Sequence, residues 1–169
     1  MISRPETNEY DPYYQTYINK TTQADGLEAL RFSHQAMLDF LDQNLNLEYQ
    51  YAPEKWTVRQ VLMHIIDTER IFGYRALRIA RGDSTPLPGF DQDLFAENSK
   101  ESSLSWEFLC MDFEQLARST ELLFESFEED ELIRIGIANG NRLTVRAAAF
   151  IIAGHNLHHL DVFHQKYML

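Results

Sequence analysis

Four of the six histidines of this chain lie within ten consecutive positions near its C-terminal end, in the segment AGHNLHHLDVFHQKYM, residues 153–168. A neutral imidazole binds divalent cations well and can also transfer protons near neutral pH. If the segment is helical, His155 and His159 point within about 40° of each other. His158 lies about 60° to the other side, and His164 points in nearly the opposite direction.

The His155 and His159 pair shares its direction with an apolar stripe, so we expect it to face a hydrophobic core. The stripe consists of Ala148, Ile151, Ile152 and Val162. Burying two polar rings costs free energy unless each ring finds a partner, and one divalent ion would satisfy both. A pair of hydrogen-bonded core histidines is the alternative, because a His-x-x-x-His pair alone is a weak indication of metal binding.

A third histidine, on another predicted helix, favours the metal. In VLMHIIDTERIF, residues 61–72, His64 is in line with the inward-facing Val61, Thr68 and Ile71. If this helix and the C-terminal helix are neighbours, the three rings can converge on one ion. Three histidines leave coordination positions open for water or substrate, which is typical of catalytic rather than structural sites.

Two residues are candidates for proton transfer beside this ion. Asp67, one turn beyond His64, could act as a general base or orient a ligand imidazole, or it could simply pair with Arg70 or another cation. His158 could act as a base, or it could be a shoulder residue hydrogen-bonded to a neighbouring helix. Glu69 points well away from His64, which predicts a surface or interhelix ion-pair residue.

Arg75 and Arg78 lie on the His64 stripe, but roughly 16–21 Å further along the helix axis, so neither reaches the ion. Buried arginines need carboxylates. The segment DSTPLPGFDQDLFAENS, residues 83–99, offers Asp83, Asp91 and Asp93. We favour anchoring of this segment by the two arginines over recognition of an anionic substrate, and both interpretations stay open.

Four segments have the apolar spacing of amphipathic helices and predict an all-α four-helix bundle. They run from about Asp25 to Gln43, from Thr57 to Gly82, from about Leu104 to Phe127, and from about Thr144 to Met168. Thr57 and Gln60 have the spacing of a capping box, which fixes the start of the second helix. Gly82 is a favourable residue for its end. His34, on the first helix, has no second ligand beside it and is interpreted as an ordinary residue.

The connections between these helices complete the predicted architecture. Residues 83–99 are rich in proline and too long for a simple connector, so they predict a long crossover loop. Asn139-Gly140 is a favourable two-residue turn and predicts a short β-hairpin over residues 135–143. A single domain over residues 1–169 accounts for the whole chain.

Composition narrows the range of partners and compartments. The net charge is −11, from 26 acidic and 15 basic residues, which argues against nucleic acid and anionic membranes as partners. A single cysteine, Cys110, excludes an intramolecular disulfide and favours a reducing compartment. The N-terminal segment has no signal-peptide pattern, and the longest apolar run is far shorter than the roughly 20 residues of a membrane span. We therefore expect a cytoplasmic protein.

Several long segments of the chain resemble the DinB/YfiT-like family of metal-dependent enzymes. They are RPETNEYDPYYQTYI, YAPEKWTVRQVLMHIIDTERIFGYRALRIARGD, TPLPGFDQD, NGNRLTVRA and AGHNLHHLDVFHQKY. The resemblance implies an up-down-down-up four-helix bundle that holds a divalent ion with three histidines, which match His64, His155 and His159. It also implies a low-molecular-weight thiol as a candidate co-substrate, because family members with assigned activity resemble thiol-dependent S-transferases or isomerases.

Two classes of function are compatible with these residues. The first is a metal-dependent enzyme that acts on a small molecule by thiol transfer or hydrolysis, with zinc, nickel, manganese or iron as the ion. The second is a helical bundle with a structural ion that serves as a binding or interaction module. The apolar back of the fourth helix must be covered either by the tyrosine-rich N-terminal segment or by a second subunit in a homodimer.

Overall fold

The computed structural model describes residues 1–168, which are mostly helical with one two-stranded antiparallel sheet. The helices are α1 (Gln15–Ile18), α2 (Gly26–Leu41), α3 (Val58–Ala80), α4 (Gln92–Asn98), α5 (Trp106–Glu125), α6 (Glu129–Leu132) and α7 (Val145–Val162). The strands are β1 (Ile135–Ala138) and β2 (Asn141–Thr144). Two 3₁₀ turns span Pro12–Tyr14 and Glu101–Ser103, and α7 continues as a π-helix over Phe163–Tyr167. The predicted helical class and the short hairpin are confirmed.

Local capping interactions explain where the long helices begin and end. The capping box at the start of α3 is present, since Thr57 accepts from the Gln60 backbone and the Gln60 side chain accepts from Thr57 N–H. Asp25, Ser105 and Thr144 cap α2, α5 and α7 with their side-chain oxygens. Gly82 ends α3 with φ of 78°, a left-handed conformation that favours glycine.

The hairpin and the crossover segment pack together at one end of α3. Asn139 and Gly140 have φ of 52° and 76°, as a two-residue turn of the predicted kind requires. The Leu87 backbone pairs with this hairpin, donating to Ile137 O and accepting from Asn139 N–H. The segment predicted as a loop also contains a helix, α4, whose N-terminus is capped by Asp91. Sequence reasoning missed α4 because it has only seven residues and follows a proline-rich stretch.

The four long helices enclose two apolar clusters that are separated by a polar layer. Both α2 and α3 pack against α5 and α7. The buried apolar residues of one cluster stop and those of the other begin at Ile66 and Phe72 on α3, and at Ala153 on α7 and Phe163 just after it. The intervals between them contain the buried polar residues Thr68 and Glu69 on α3 and His155 and Asn156 on α7.

The centre of this polar layer is an ion pair between α2 and α3. His34 Nε2 lies 3.2 Å from Glu69 Oε1, and His34 Nδ1 lies 3.0 Å from Glu121 Oε1 on α5. Asn156 on α7 donates to Glu69 Oε2 over 3.3 Å, so all four long helices contribute. Burial alone would lower the pKa of His34, but the two carboxylates raise it to about 9. The interhelix interpretation of Glu69 is therefore the one that the geometry favours.

The N-terminal segment covers the apolar back of α7 together with α2. Glu9 accepts from Thr144 Oγ1 over 2.8 Å and from Arg146 Nε over 2.8 Å, which ties the segment to the start of α7. Phe150 is fully buried beside Ile2. Because α7 is covered within one chain, its apolar back gives no reason to invoke a second subunit, and the homodimer stays a prediction without that support. Within residues 1–168 none of the helices has the length and hydropathy needed to cross a bilayer.

The buried ion pair generates a stability prediction. Replacing Glu69 by alanine leaves the charge of His34 poorly compensated in the interior, and we expect the free energy of unfolding to fall by about 3–5 kcal/mol. Urea denaturation at neutral pH measures this. The control is Glu125→Ala, an exposed ion-pair residue, for which we expect a loss of about 1 kcal/mol or less.

The pH dependence of stability provides an independent check of the same pair. The folded-state pKa of His34, about 9, lies above its ordinary value of 6.5, so its contribution is complete below pH 6.5 and is lost as the pH rises through 9. We expect this decline in the parent protein but not in His34→Gln. Equal slopes for the two proteins over that window would show that His34 is not charged in the folded state.

Candidate metal centre

The structure brings together the three histidines on which the predicted site depends. His64 on α3 and His155 and His159 on α7 place ring nitrogens within 4.8 Å of one another. His155 Nε2 lies 3.1 Å from His64 Nε2 and 3.1 Å from His159 Nε2. His64 and His155 are buried, and His159 is largely buried. The i, i+4 spacing on α7 and the inward stripe of α3 thus meet across two neighbouring helices, as the sequence predicts.

The spacing of these nitrogens suits a shared cation better than hydrogen bonding among the rings. The Nε2 of His155 carries either one proton or one lone pair, so it can form at most one good hydrogen bond with its two neighbours. A divalent ion bound at 2.0–2.1 Å would hold adjacent nitrogens about 2.9–3.4 Å apart in tetrahedral or octahedral geometry. The two 3.1 Å contacts made by His155 fall within that range, and the third pair lies within 4.8 Å, so the residues present fit a divalent ion.

The protonation state of the cluster is also suited to metal binding. Burial, with a smaller contribution from His158, lowers the pKa of His64 to about 4. Burial and the neighbouring rings lower the pKa of His155 and of His159 well below the ordinary value. The three rings are therefore neutral at neutral pH, which is the form that binds a cation.

Two cavities adjoin the cluster. One, of about 290 Å³, is lined by His64 and His155. The other, of about 300 Å³, is lined by His158 and His159. Gln92 at the start of α4 lines both, so the crossover segment helps to enclose the site. A cation at the cluster would have room for further ligands in both cavities.

The two candidate catalytic residues differ in their relation to these cavities. His158 is half-buried, lines the same cavity as His159, and its ring lies 5.0 Å from the His159 ring. Asp67 lines a separate cavity with Leu94 and Lys100, and within residues 1–168 it makes no hydrogen bond to the histidines. Arg70, its expected partner, instead pairs with Asp112 at 2.6 Å. The geometry therefore favours His158 over Asp67 as a residue acting at the site.

The two arginines also separate into different environments. Arg78 is partly exposed and pairs with Asp83, which anchors the beginning of the crossover segment. Arg75 is only 2% exposed, and its Nη2 donates to Pro88 O over 2.7 Å. It lines the same cavity as His64. Anchoring is thus observed for both, although for Arg75 the acceptor is a backbone carbonyl rather than an aspartate.

Aromatic residues that sequence reasoning did not place at the site enclose the histidines. The Tyr17 ring lies 5.4 Å from the His155 ring and 5.3 Å from the His158 ring. The Trp56 ring, just ahead of α3, lies 4.9 Å from the His64 ring. The sequence contained one indication of the contact between Tyr17 and α7, namely Gly154. In the structure a Cβ at this position would collide with the Tyr17 carbonyl oxygen. A glycine inside a helix, next to a candidate ligand, indicates close approach of another backbone.

Comparison with known proteins agrees with this geometry. A sequence model of the DinB superfamily matches residues 44–163. The chain belongs to the DinB superfamily. Among solved structures, YfiT from Bacillus subtilis, described as a probable metal-dependent hydrolase with an unusual four-helix bundle topology, superposes with a TM-score of 0.67 at 16% identity. The match covers 95% of this chain and 89% of that chain. No curated protein matches.

The shared fold is informative about architecture, and the resemblance inferred from the sequence is confirmed. At 16% identity the similarity to YfiT extends to the fold alone. A fold can support more than one chemistry, so the reaction must be argued from the residues of this chain.

The contact between α1 and α7 generates a prediction about the enclosure of the site. Gly154→Ala would force the Tyr17 backbone away from α7, and we expect a destabilisation of about 1–3 kcal/mol and faster proteolysis of the N-terminal segment. The matched control is Gly73→Ala in α3, where the nearest atom to an added Cβ is 3.9 Å away. That variant should gain about 0.5–1 kcal/mol. Equal behaviour of the two variants would contradict the close contact.

Proposed function

We propose that this member of the DinB superfamily is a divalent-metal-dependent enzyme that acts on a small molecule, with His64, His155 and His159 as the metal ligands. The single observation that carries the proposal is the convergence of three neutral Nε2 atoms beside two cavities. A divalent ion held there would lower the pKa of a bound water or thiol and so supply a nucleophile. The description of YfiT as a probable metal-dependent hydrolase favours hydrolysis, and a low-molecular-weight thiol is the alternative nucleophile.

We also infer the up-down-down-up arrangement of the long helices, because it brings α3 and α7 side by side in opposite directions. Three contacts support it. Tyr167, after α7, donates to Trp56 O ahead of α3. Arg59 at the start of α3 donates to Leu104 O ahead of α5, and Arg31 in α2 pairs with Glu125 at the end of α5.

In this proposal the surrounding residues orient the reactants and limit access of water. The rings of Tyr17 and Trp56 pack against the histidines on either side and hold their planes. His158 accepts a proton from the nucleophile at the second cavity. Burial, with a smaller effect of Lys20, lowers its pKa, so the neutral ring is available as a base.

The first test is metal content. Protein purified without a histidine tag should contain a divalent ion by elemental analysis, and His64→Ala should lower the affinity for that ion by more than about 100-fold, beyond the usual effect of residues around the ligands. His164→Ala, which removes an exposed histidine outside the cluster, is the matched control and should retain the ion. Circular dichroism checks that both variants fold. A parent protein that binds no divalent ion would end the proposal.

The second test separates the two candidate bases. On any activated ester or thiol acceptor that the metal-loaded protein turns over, His158→Gln should lower kcat by about 10²–10⁴-fold, whereas Asp67→Asn should change it little. Metal content measured in both variants shows whether the ligands are intact. Turnover that survives His158→Gln but fails with Asp67→Asn would reverse the assignment. A metal-loaded protein without turnover on any substrate tested would favour the interaction-module alternative.

A further inference from the structure

Arg75 differs from the other deeply buried charged residues because it has no acidic partner. Buried His34 pairs with Glu69 and Glu121, and even Arg146, which is only partly buried, pairs with the buried Glu9. Arg75 makes no ion pair with any aspartate or glutamate within residues 1–168, and its hydrogen-bond partners, the Pro88 carbonyl and the Tyr14 side chain, are both neutral. A buried guanidinium without a counter-ion is costly, so a compensating reason for its presence is expected.

The position of Arg75 in the cavity supplies that reason. Its guanidinium lies 5.1 Å above the Phe72 ring, and Tyr14 is the polar side chain that affects its pKa, opposing the lowering caused by burial. A guanidinium has five N–H donors in a planar fork, of which the bond to Pro88 uses one and a hydrogen bond to the Tyr14 side chain uses another. The remaining donors can serve a group that enters the cavity.

One face of α3 connects this arginine to the histidine cluster. His64, Thr68, Phe72 and Arg75 all line the same cavity. The Thr68 hydroxyl is buried and has no hydrogen-bond partner within residues 1–168. His64 and Arg75 are separated by about 16 Å along the helix axis at Cα, and the arginine side chain leans back toward the N-terminal end, which shortens the gap. A small elongated molecule could therefore contact both ends.

We propose that the substrate carries an oxyanion, a carboxylate or a phosphate, that binds Arg75 while its reacting group lies at the three histidines. This rests on the proposed function for the reacting end only. The guanidinium fork matches either oxyanion with two parallel hydrogen bonds. The chain as a whole has a net charge of −11, so a buried arginine is the means by which an anion is held selectively in an otherwise acidic protein.

The acidic residue at the same cavity does not compete for this role. Asp11 lines the cavity, but its Oδ1 accepts from Tyr13 N–H at the 3₁₀ turn, and within residues 1–168 it makes no ion pair with Arg75. Anchoring of the crossover segment does not require Arg75 either, because Arg78 and Asp83 hold that segment from outside the cavity.

The experiment uses zinc-loaded full-length protein and a series of ω-mercaptocarboxylates of increasing chain length, each paired with the ω-mercaptoalcohol of the same length. The thiol serves as the group that binds zinc, and calorimetry gives both affinities. We expect the carboxylate to bind about 10–100-fold more tightly than the alcohol once the chain is long enough to reach Arg75. An ω-mercaptoalkyl phosphate of the best length shows which oxyanion is preferred.

Variants show whether Arg75 causes the preference for the carboxylate over the alcohol. Arg75→Gln should reduce the carboxylate-to-alcohol ratio to near one while leaving zinc content and alcohol affinity unchanged, which a purely structural role would not do. The matched control Arg78→Gln should keep the parent ratio. A ratio near one in the parent protein, or a high ratio that persists in Arg75→Gln, would overturn the proposal.

Two further measurements test the binding of the anion at Arg75 if the variant does not fold or if the protein binds no zinc. If Arg75→Gln does not fold by circular dichroism, the chain-length dependence in the parent protein decides, because a preference that is the same for short and long chains contradicts binding at Arg75. If the protein binds no zinc, the proposed metal function fails separately, and alkyl carboxylates are compared with alkyl alcohols on the metal-free protein. The anion preference should then survive without the metal and still disappear in Arg75→Gln.

Discussion

The cost of burying polar side chains in the middle of a helical bundle is the constraint on which the rest of this structure depends. Two apolar clusters are interrupted at one level by histidines, carboxylates and an asparagine. Unpaired, each of these groups would cost roughly as much free energy as several buried methylenes provide. The fold accommodates these buried polar side chains only because they offset one another's cost of burial. They do so in different ways on the two sides of the layer.

On one side of the layer the compensation is charge against charge. His34 is held protonated by Glu69 and Glu121, and Asn156 satisfies the second oxygen of Glu69. On the other side the histidines are held neutral, because burial and the neighbouring rings oppose a positive charge. Thus the same residue type is cationic at His34 and neutral at His155, and the difference is set by the presence or absence of a carboxylate. The neutral side is the one that can accept an external cation.

The sequence predicted those features that follow from short-range rules. The capping box at Thr57, the left-handed end at Gly82 and the Asn139-Gly140 turn are fixed by three or four neighbouring residues, and all are present. The helical period was sufficient to point His64, His155 and His159 inward. It could not show that Glu69 is buried, because a wheel centred on one helix does not reveal a second partner such as His34 on the opposite side.

Features that depend on distant parts of the chain were beyond these rules. Whether the N-terminal tyrosines or another subunit cover α7 depends on the contact at Gly154, which involves residues more than a hundred positions apart. Asp67 shares a helix with His64, but it lines a separate cavity with Leu94 of α4, and the position of α4 cannot be read from the periodicity of α3. The helix α4 itself is too short to produce a clear periodic signal, and its cap at Asp91 is recognisable only after the crossover segment has been placed.

If the proposed function holds, the arrangement of one helix face would let such a site change its substrate without losing its chemistry. His64, Thr68, Phe72 and Arg75 recur at intervals of about one turn and line one cavity, so in the proposed site the rigid backbone of α3 would set the distance between the metal ligand and the anion-binding arginine. The candidate metal ligands are His64 on α3 and two histidines on α7, whereas positions 68, 72 and 75 supply none of these three ligands. Substitution at these three positions alters the length, polarity or charge of the cavity while His64 stays in place. Separation of chemistry and recognition along a single rigid element is therefore a direct consequence of helical geometry.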